Sequence, residues 1–361
     1  AVAVSISQHH SCAIAETGSV SCWGGSDENE TVVPPQPSIT RVTSLNYQHA
    51  CVIEADGRVM CWGDNGYSKA TVPSDLEIAL SVETSHYHTC IIDASKQVRC
   101  WGYNYYGQTD PPADLGPALQ LAAGDYHTCA LLEGGDVRCW GGGPDDQAVV
   151  LSGLGAARFI TSNHTHTCAI EENGTAKCWG KNNRGQTDVP EDLGAVTAMS
   201  TGKEFTCAIQ ANAEVQCWGG DDTYNQAEVP TNLGPVKAIS SGHSHSCALE
   251  EDGDVVCWGN SQNPADNVPS DLENTAEIHV AGFSTCALAE NGEMRCWGDA
   301  LWNSLANRPV EPIRAGFVDA PFGFTRTGDY TFETACSEGQ TYGVYRPDGG
   351  DQHSLLELGC Y

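Results

Sequence analysis

The sequence predicts an all-β fold, a β-propeller of eight (alternatively seven) blades from 39-residue repeats, each with a disulfide-bridged hairpin, plus a short β C-terminal tail. Three observations carry this reading. The pattern Cys-x9-Cys-Trp-Gly returns eight times at a spacing of 39 residues, once 40, from Cys12 and Cys22-Trp23-Gly24 to Cys286 and Cys296-Trp297-Gly298. A fixed period of this size marks one small unit whose copies bury each other's apolar faces. Inside each copy, short alternating runs separated by turn residues give about three antiparallel strands, and radial repetition of such units hides most sheet edges. The repeat domain spans residues 1–312 and a small disulfide-stapled β tail spans 313–361.

The hairpin comes first in each unit. In the first copy, Cys12-Ala13-Ile14-Ala15 and Ser19-Val20-Ser21-Cys22 flank Glu16-Thr17-Gly18, a three-residue loop whose last position favours positive φ. Glycine holds that place in six copies (Gly18, Gly57, Gly135, Gly174, Gly253, Gly292), with Lys96 and Ala213 as exceptions. Counting outward from a hydrogen-bonded Ala15/Ser19 pair places Cys12 opposite Cys22 at a non-hydrogen-bonded site. There the α-carbons stand about 4.5 Å apart, within disulfide reach. Alternation then puts Cys12, Ile14, Val20 and Cys22 on one face, to be buried between blades.

The connection follows, best seen as Gly185-Gln186-Thr187-Asp188-Val189-Pro190-Glu191-Asp192-Leu193-Gly194, and it leads into a short strand at 196–200. Proline limits ladder pairing there, so the segment runs at the blade periphery. Past about Ala315 the repeat stops. Phe324, Tyr330 to Thr334, Gly343 to Tyr345 and Leu355 to Leu358 suggest four short strands.

All 18 cysteines pair by spacing: Cys12–Cys22, Cys51–Cys61, Cys90–Cys100, Cys129–Cys139, Cys168–Cys178, Cys207–Cys217, Cys247–Cys257, Cys286–Cys296 and, in the tail, Cys336–Cys360. Even counts at regular spacing, with no CxxC knuckle, favour bridges over zinc and place the chain in an oxidising compartment, secreted or on the cell surface. The formal charge of −30 comes from 47 acidic and 17 basic residues spread along 361, which repels nucleic acid and anionic membranes. No run of 18 apolar residues exists to span a bilayer, and no leader precedes Ala1, so the chain reads as a mature form.

Segments such as Ser241-Gly242-His243-Ser244-His245-Ser246-Cys247-Ala248-Leu249, then Asp252-Gly253-Asp254-Val255 and Cys257-Trp258-Gly259, resemble the repeat of the regulator of chromosome condensation family across about residues 2–312. The resemblance implies a propeller, usually of seven blades. The short period and the Val-Pro-x-x-Leu-Gly connection are similar to the secreted propeller-type β-lactamase inhibitor protein. In the tail, the Tyr-x-Phe-x-Thr and Val-Tyr strands are similar to part of the bacterial pre-peptidase C-terminal β-sandwich. The nucleotide-exchange and chromatin roles of nuclear relatives do not suit a disulfide-rich chain of this charge.

Function is narrowed by elimination. No Gly-x-Ser-x-Gly elbow, phosphate-cradling loop or His-Glu-x-x-His occurs, so the chain is read as no enzyme and as needing no cofactor. The histidine two places before the first cysteine (His10, His49, His88, His127, His166, His245) recurs around the ring, as a packing and hydrogen-bonding element does. The rarer His86, His164 and His243 could set two imidazoles together for zinc or copper, but nothing in their spacing assigns a metal. Recognition belongs where the repeats disagree, in the loops after Trp-Gly, which carry Tyr67, Tyr103, Tyr105, Tyr106, Tyr224 and Trp302. The expectation is an extracellular binding propeller that presents this face to a protein or glycan. The alternatives are a structural subunit that binds copies of itself at the cell surface or in filaments, and an inhibitor of an extracellular enzyme such as a β-lactamase.

Overall fold

The computed structural model describes residues 3–7, 10–15, 18–24, 29, 31–34, 39–46, 48–76, 78–143, 147–220, 224–260, 267–270, 272, 274–298, 341–342 and 358–359. The chain divides into two compact units, Ala1–Ala315 and Gly316–Tyr361. In the first, eight three-stranded antiparallel sheets follow one another, each made from a single continuous segment. These are blade 1 (3–24), blade 2 (39–63), blade 3 (79–102), blade 4 (118–141), blade 5 (157–180), blade 6 (196–219), blade 7 (236–259) and blade 8 (275–298). First strands of successive blades are neighbours all the way round, blades 8 and 1 included, so the first strand is innermost and the Cys-Trp-Gly strand outermost. An apolar cluster fills every joint between consecutive blades, the last one setting Ile6, Ala13 and Trp23 against Cys286, Leu288 and Met294. The ring therefore has eight blades rather than the seven of the alternative reading.

Blade 5 shows how the unit is built. Its strands Ala157–Asn163, His166–Glu171 and Ala176–Gly180 pair with Cys168 opposite Cys178 and Ile170 opposite Ala176. The hairpin closes through Glu171 N–H to Thr175 O and Gly174 N–H to Glu171 O, each 2.9 Å. Gly174 takes φ 86°, and Lys96 (φ 62°) and Ala213 (φ 66°) keep the same left-handed conformation without glycine, so strand pairing dictates the turn. The eight cysteine pairs sit directly opposite each other, with α-carbons 4.0–4.2 Å apart. Cys12, Ile14, Val20 and Cys22 share the buried face and meet Ala50, Val52 and Trp62 of blade 2.

Each joint adds polar locks to this apolar contact. The tryptophan of one blade packs against the blade before it, which removes on the order of 150–250 Å² from water and contributes roughly 4–6 kcal/mol before ordering costs. Its indole N–H donates to a carbonyl of the intervening connection: Trp101 to Lys69 O (2.9 Å), Trp140 to Gln108 O (2.9 Å), Trp218 to Gln186 O (3.1 Å) and Trp258 to Gln226 O (3.1 Å). The recurring histidine clamps the next blade. His49, His88, His127, His166 and His245 each bring Nε2 to a hydroxyl of the following blade, on Thr89, Thr128, Thr167, Thr206 and Thr285, at 2.7–3.0 Å. Thr128 donates its own proton to Gln108 O (3.0 Å), so it accepts from His88 Nε2–H, and the imidazole is the neutral Nε2–H tautomer. Phe205 and Ser284 fill this place in blades 6 and 8.

The glycine of Trp-Gly has a steric reason. Gly259 ends the outer strand of blade 7 opposite His245 at φ 129°, and a β-carbon there would lie 2.4 Å from Ser244 O and 2.7 Å from His245 Cα. The backbone passes too close for any side chain. Gly259→Ala is therefore expected to cost roughly 3 kcal/mol in denaturant unfolding. Gly107→Ala, at φ 80° with nothing within 4 Å of the added carbon, carries only the conformational cost of about 1 kcal/mol. Equal losses at both sites would disprove the steric account.

In the second unit Thr341–Tyr342 pairs antiparallel with Leu358–Gly359. Cys336, Cys360 and the strands expected at Phe324, Tyr330 to Thr334, Gly343 to Tyr345 and Leu355 to Glu357 lie outside the described residues.

Candidate functional site

The loops after Trp-Gly and the turns between first and second strands share one face of the ring. Backbone bonds tie them together: Tyr103 N–H to Tyr87 O (2.9 Å), Gly142 N–H to Tyr126 O (2.7 Å), Lys181 N–H to Thr165 O (3.0 Å) and Asn260 N–H to Ser244 O (3.0 Å). The loop shape is fixed by an asparagine two residues after the Trp-Gly glycine. Asn104 Oδ1 accepts Thr109 N–H (3.0 Å) while its amide donates to Asp110 (2.9 Å), and Asn65 and Asn182 repeat the arrangement. These asparagines hold up the tyrosines, and their recurrence two places after Trp-Gly is a signal that sequence reasoning passed over.

On this scaffold six tyrosines from blades 2, 3 and 4 form one contiguous surface. Tyr67 lies 4.7 Å from Tyr103, ring centre to ring centre. Tyr103 is 6.4 Å from both Tyr105 and Tyr106, and those two are 4.9 Å apart. Tyr106 meets Tyr126 edge-on at 5.2 Å, and Tyr126 stacks on Tyr87 at 5.3 Å. Tyr105 is 78% exposed and Tyr67 63%, so large aromatic surface faces solvent. Tyr67 and the adjacent Ser68 are both left-handed, at φ 60° and 62°, strain held by the Asp64 and Asn65 side chains that accept the N–H groups of Gly66 and Ala70. Beneath them Lys69 takes the place of the buried glutamine of other connections. Its ammonium pairs with Asp64 (2.6 Å) and donates to His86 O (3.0 Å). Burial pulls the Asp64 carboxyl up, yet Lys69 and the Gly66 N–H outweigh it and leave it below its usual range.

Tyr67, Tyr103, Tyr105 and Tyr106 are thus brought together. Tyr224 is exposed on the loop after blade 6, and Trp302 lies outside the described residues. Tyr87 and Tyr126 were not anticipated, although their spacing of 39, each just before a clamp histidine, places them in register on neighbouring blades.

Toward the ring axis on the same face, five titratable side chains occupy equivalent positions of the first turns: His86, Asp125, His164, Lys203 and His243. His86 stacks on Tyr87 at 4.1 Å. His164 Nδ1 lies 3.0 Å from Asp125 Oδ2, and His164 Nε2 lies 3.0 Å from His243 Nε2. Burial lowers His243 to about 3 and His86 to about 4. Burial also pulls the Asp125 carboxyl up, but the hydrogen bond and charge of His164 prevail and hold it below the usual carboxylate range.

Residues 1–30, 41–68, 80–108, 119–147, 159–186 and 236–263 match the regulator of chromosome condensation (RCC1) repeat. These units are RCC1-like repeats. The matched RCC1 segments cover the blades that carry the clamp histidine, while blade 6 with Phe205 and blade 8 with Ser284 fall outside them. No curated protein matches the chain. Among solved structures, the ectodomain of the Physcomitrella patens receptor kinase CR4 is similar at 24% identity, covering 72% of each chain with a TM-score of 0.55. The CRINKLY WD40 ectodomain of the Arabidopsis thaliana receptor kinase ACR4 is similar at 20% identity, over 72% of this chain and 92% of that one, with a TM-score of 0.56. Prp20p from Saccharomyces cerevisiae, described with its binding to Gsp1p and histones, is similar at 16% identity over 66% and 80%, with a TM-score of 0.53. At these identities the shared property is the fold alone. The matching family is a repeat and indicates no catalytic activity. Among the described residues no helix is long and apolar enough to cross a membrane.

Proposed function

We propose that this chain is an extracellular, non-catalytic binding propeller that recognises a protein partner through its tyrosine face. The observation that carries the reading is the contiguous cluster of Tyr67, Tyr87, Tyr103, Tyr105, Tyr106 and Tyr126 across three blades, with Tyr105 and Tyr67 mostly exposed. Tyrosine supplies large, rigid contact area at low entropic cost, and such rings dominate the energetics of protein interfaces. Eight disulfides support an oxidising setting outside the cell. The Gsp1p and histone binding named for Prp20p makes protein recognition a use to which this fold is put elsewhere, and the receptor ectodomains among the structural neighbours are ectodomains with the same fold.

The test is to present the oxidised chain to arrays of extracellular proteins and of glycans, then repeat with Tyr105→Ala/Tyr106→Ala. The expected result is protein binders whose affinity falls more than tenfold in the double variant while its thermal midpoint stays within about 2 °C of the parent, because both rings lie on an exposed loop. Binders indifferent to the double variant would overturn the assignment of the face, and binding confined to glycans would overturn the assignment of the ligand.

A further inference from the structure

The axial cluster has a use that the tyrosine face does not absorb. We propose that His164 and His243 form a binding site for one divalent ion of the zinc and copper class, with Asp125 as the group that orients His164. The two histidines come from blades 5 and 7, 79 residues apart, yet their Nε2 atoms meet at 3.0 Å. Two imidazole nitrogens bound at about 2.0–2.1 Å to one ion in adjacent coordination positions stand about 3 Å apart, so little rearrangement separates this arrangement from a chelate.

The arrangement behind the pair has the same sense. Asp125 Oδ2 accepts from His164 Nδ1–H at 3.0 Å, which leaves the lone pair on His164 Nε2 to accept from His243 Nε2–H. An ion bound between them would replace that proton, which passes to His243 Nδ1 or to solvent. A carboxylate holding the far nitrogen of a metal-binding imidazole fixes its tautomer and raises its basicity. Backbone bonds hold these turns in place: Asp125 N–H donates to His164 O (2.8 Å) and His243 N–H to Gly282 O (3.0 Å). His164 itself sits at φ 38°, a conformation a β-carbon disfavours, and strain of this kind persists where surrounding structure imposes it. The clamp histidines differ in both respects, since each directs its Nε2 to a threonine hydroxyl inside a joint. Borderline ions such as Zn²⁺ and Cu²⁺ suit imidazole ligands, and with two protein donors the remaining positions take water or a ligand group arriving at the face.

The experiment titrates the oxidised full chain, carrying no polyhistidine tag, with ZnCl2 and separately with CuCl2 by calorimetry at neutral pH, and records the electron paramagnetic resonance spectrum of the copper-loaded form. The expected result is one ion per chain with nitrogen couplings from two imidazoles. His164→Gln and His243→Gln should each weaken binding at least tenfold, and Asp125→Asn by 10–100-fold. Thermal unfolding of each metal-free variant verifies that it has folded. No binding by the parent, a copper spectrum without imidazole coupling, or affinity unchanged in His243→Gln would overturn the site. The spectrum of the parent decides the matter even where a variant fails to fold. Loss of the metal site would leave the tyrosine reading intact, because Tyr105 and Tyr106 enter none of these measurements.

Discussion

Reduction of the eight bridges is expected to abolish cooperative folding of the ring. Each bridge spans ten positions and restrains a loop of about eleven residues, worth roughly 2.5–3 kcal/mol on the chain-entropy scale. Together they approach the order of 20 kcal/mol, more than the 5–15 kcal/mol net stability typical of a folded protein. Their placement adds a kinetic side. The first cysteine of every pair is fully buried in a joint, whereas the second, on the outer strand, is buried only at Cys178 and Cys296 and partly exposed in the other six bridges. Under dithiothreitol the native protein should therefore lose the bridges ending at Cys178 and Cys296 last, and all eight should go faster in urea. The reduced chain should then show no sigmoidal transition by circular dichroism. A reduced chain that unfolds cooperatively within a few degrees of the oxidised one would refute this account.

The second large effect is acid lability with an onset above the range of the carboxylates. Burial is the leading cause that lowers the clamp histidines: His88, His166 and His245 to about 3, His127 to about 4, and His49 well below its ordinary value. Unfolded, each titrates near 6.5. Between these values the unfolded chain binds protons that the folded chain does not, so stability rises with pH through this window. It is fully present above about pH 6.5 and is lost as pH falls toward 4. Each histidine contributes a slope of about 1.4 kcal/mol per pH unit, and the group removes on the order of 10 kcal/mol between pH 6 and 4. Glu83, which its surroundings desolvate and hold up to about 8, acts in the opposite sense: its contribution is present below pH 4.5 and is lost as pH rises through 8. One group opposes the five clamp histidines together with His86 and His243, so the histidines prevail below pH 6. Urea midpoints measured from pH 7.5 to 4 should fall steeply from about pH 6, and His127→Gln should remove about one proton from the slope. A flat profile down to pH 5 would show that the imidazoles are protonated in the folded state.

The architecture was legible in the sequence because each of its determinants is local. Cysteine spacing fixes the hairpin register, turn glycines mark its loop, and alternation marks the face that enters a joint. The clamp histidine was legible as a structural element by its recurrence, but its partner was not. Thr128 stands 40 residues from His88, and only closure of one blade on the next makes them neighbours. The same limit applies to the two candidate sites. Tyr105 and Tyr106 stand out as aromatics in a variable loop, whereas Tyr87 and Tyr126 join them only because turns and outer loops emerge on one face. His164 and His243 carry no spacing motif, and the curvature of the ring is what brings blade 5 to blade 7.

The uneven distribution of the histidine–threonine clamp gives a nominally symmetric ring a direction. Clamps join blades 2 to 3, 3 to 4, 4 to 5, 5 to 6 and 7 to 8. Across the joint from His10, blade 2 offers Ala50 in place of a hydroxyl, and Ser284 replaces the histidine where blade 8 meets blade 1. Blade 1 is thus flanked on both sides by joints without the histidine–threonine clamp, although Ser11 Oγ lies 3.8 Å from Cys286 Sγ across the joint with blade 8. In a repeat structure dominated by contacts between adjacent units, the joints with the fewest couplings are the ones expected to open first. The arc from blade 2 to blade 6 is the longest unbroken run of clamped joints, and blade 1 is the one blade with a clamp on neither side, so opening of the ring is expected to begin there.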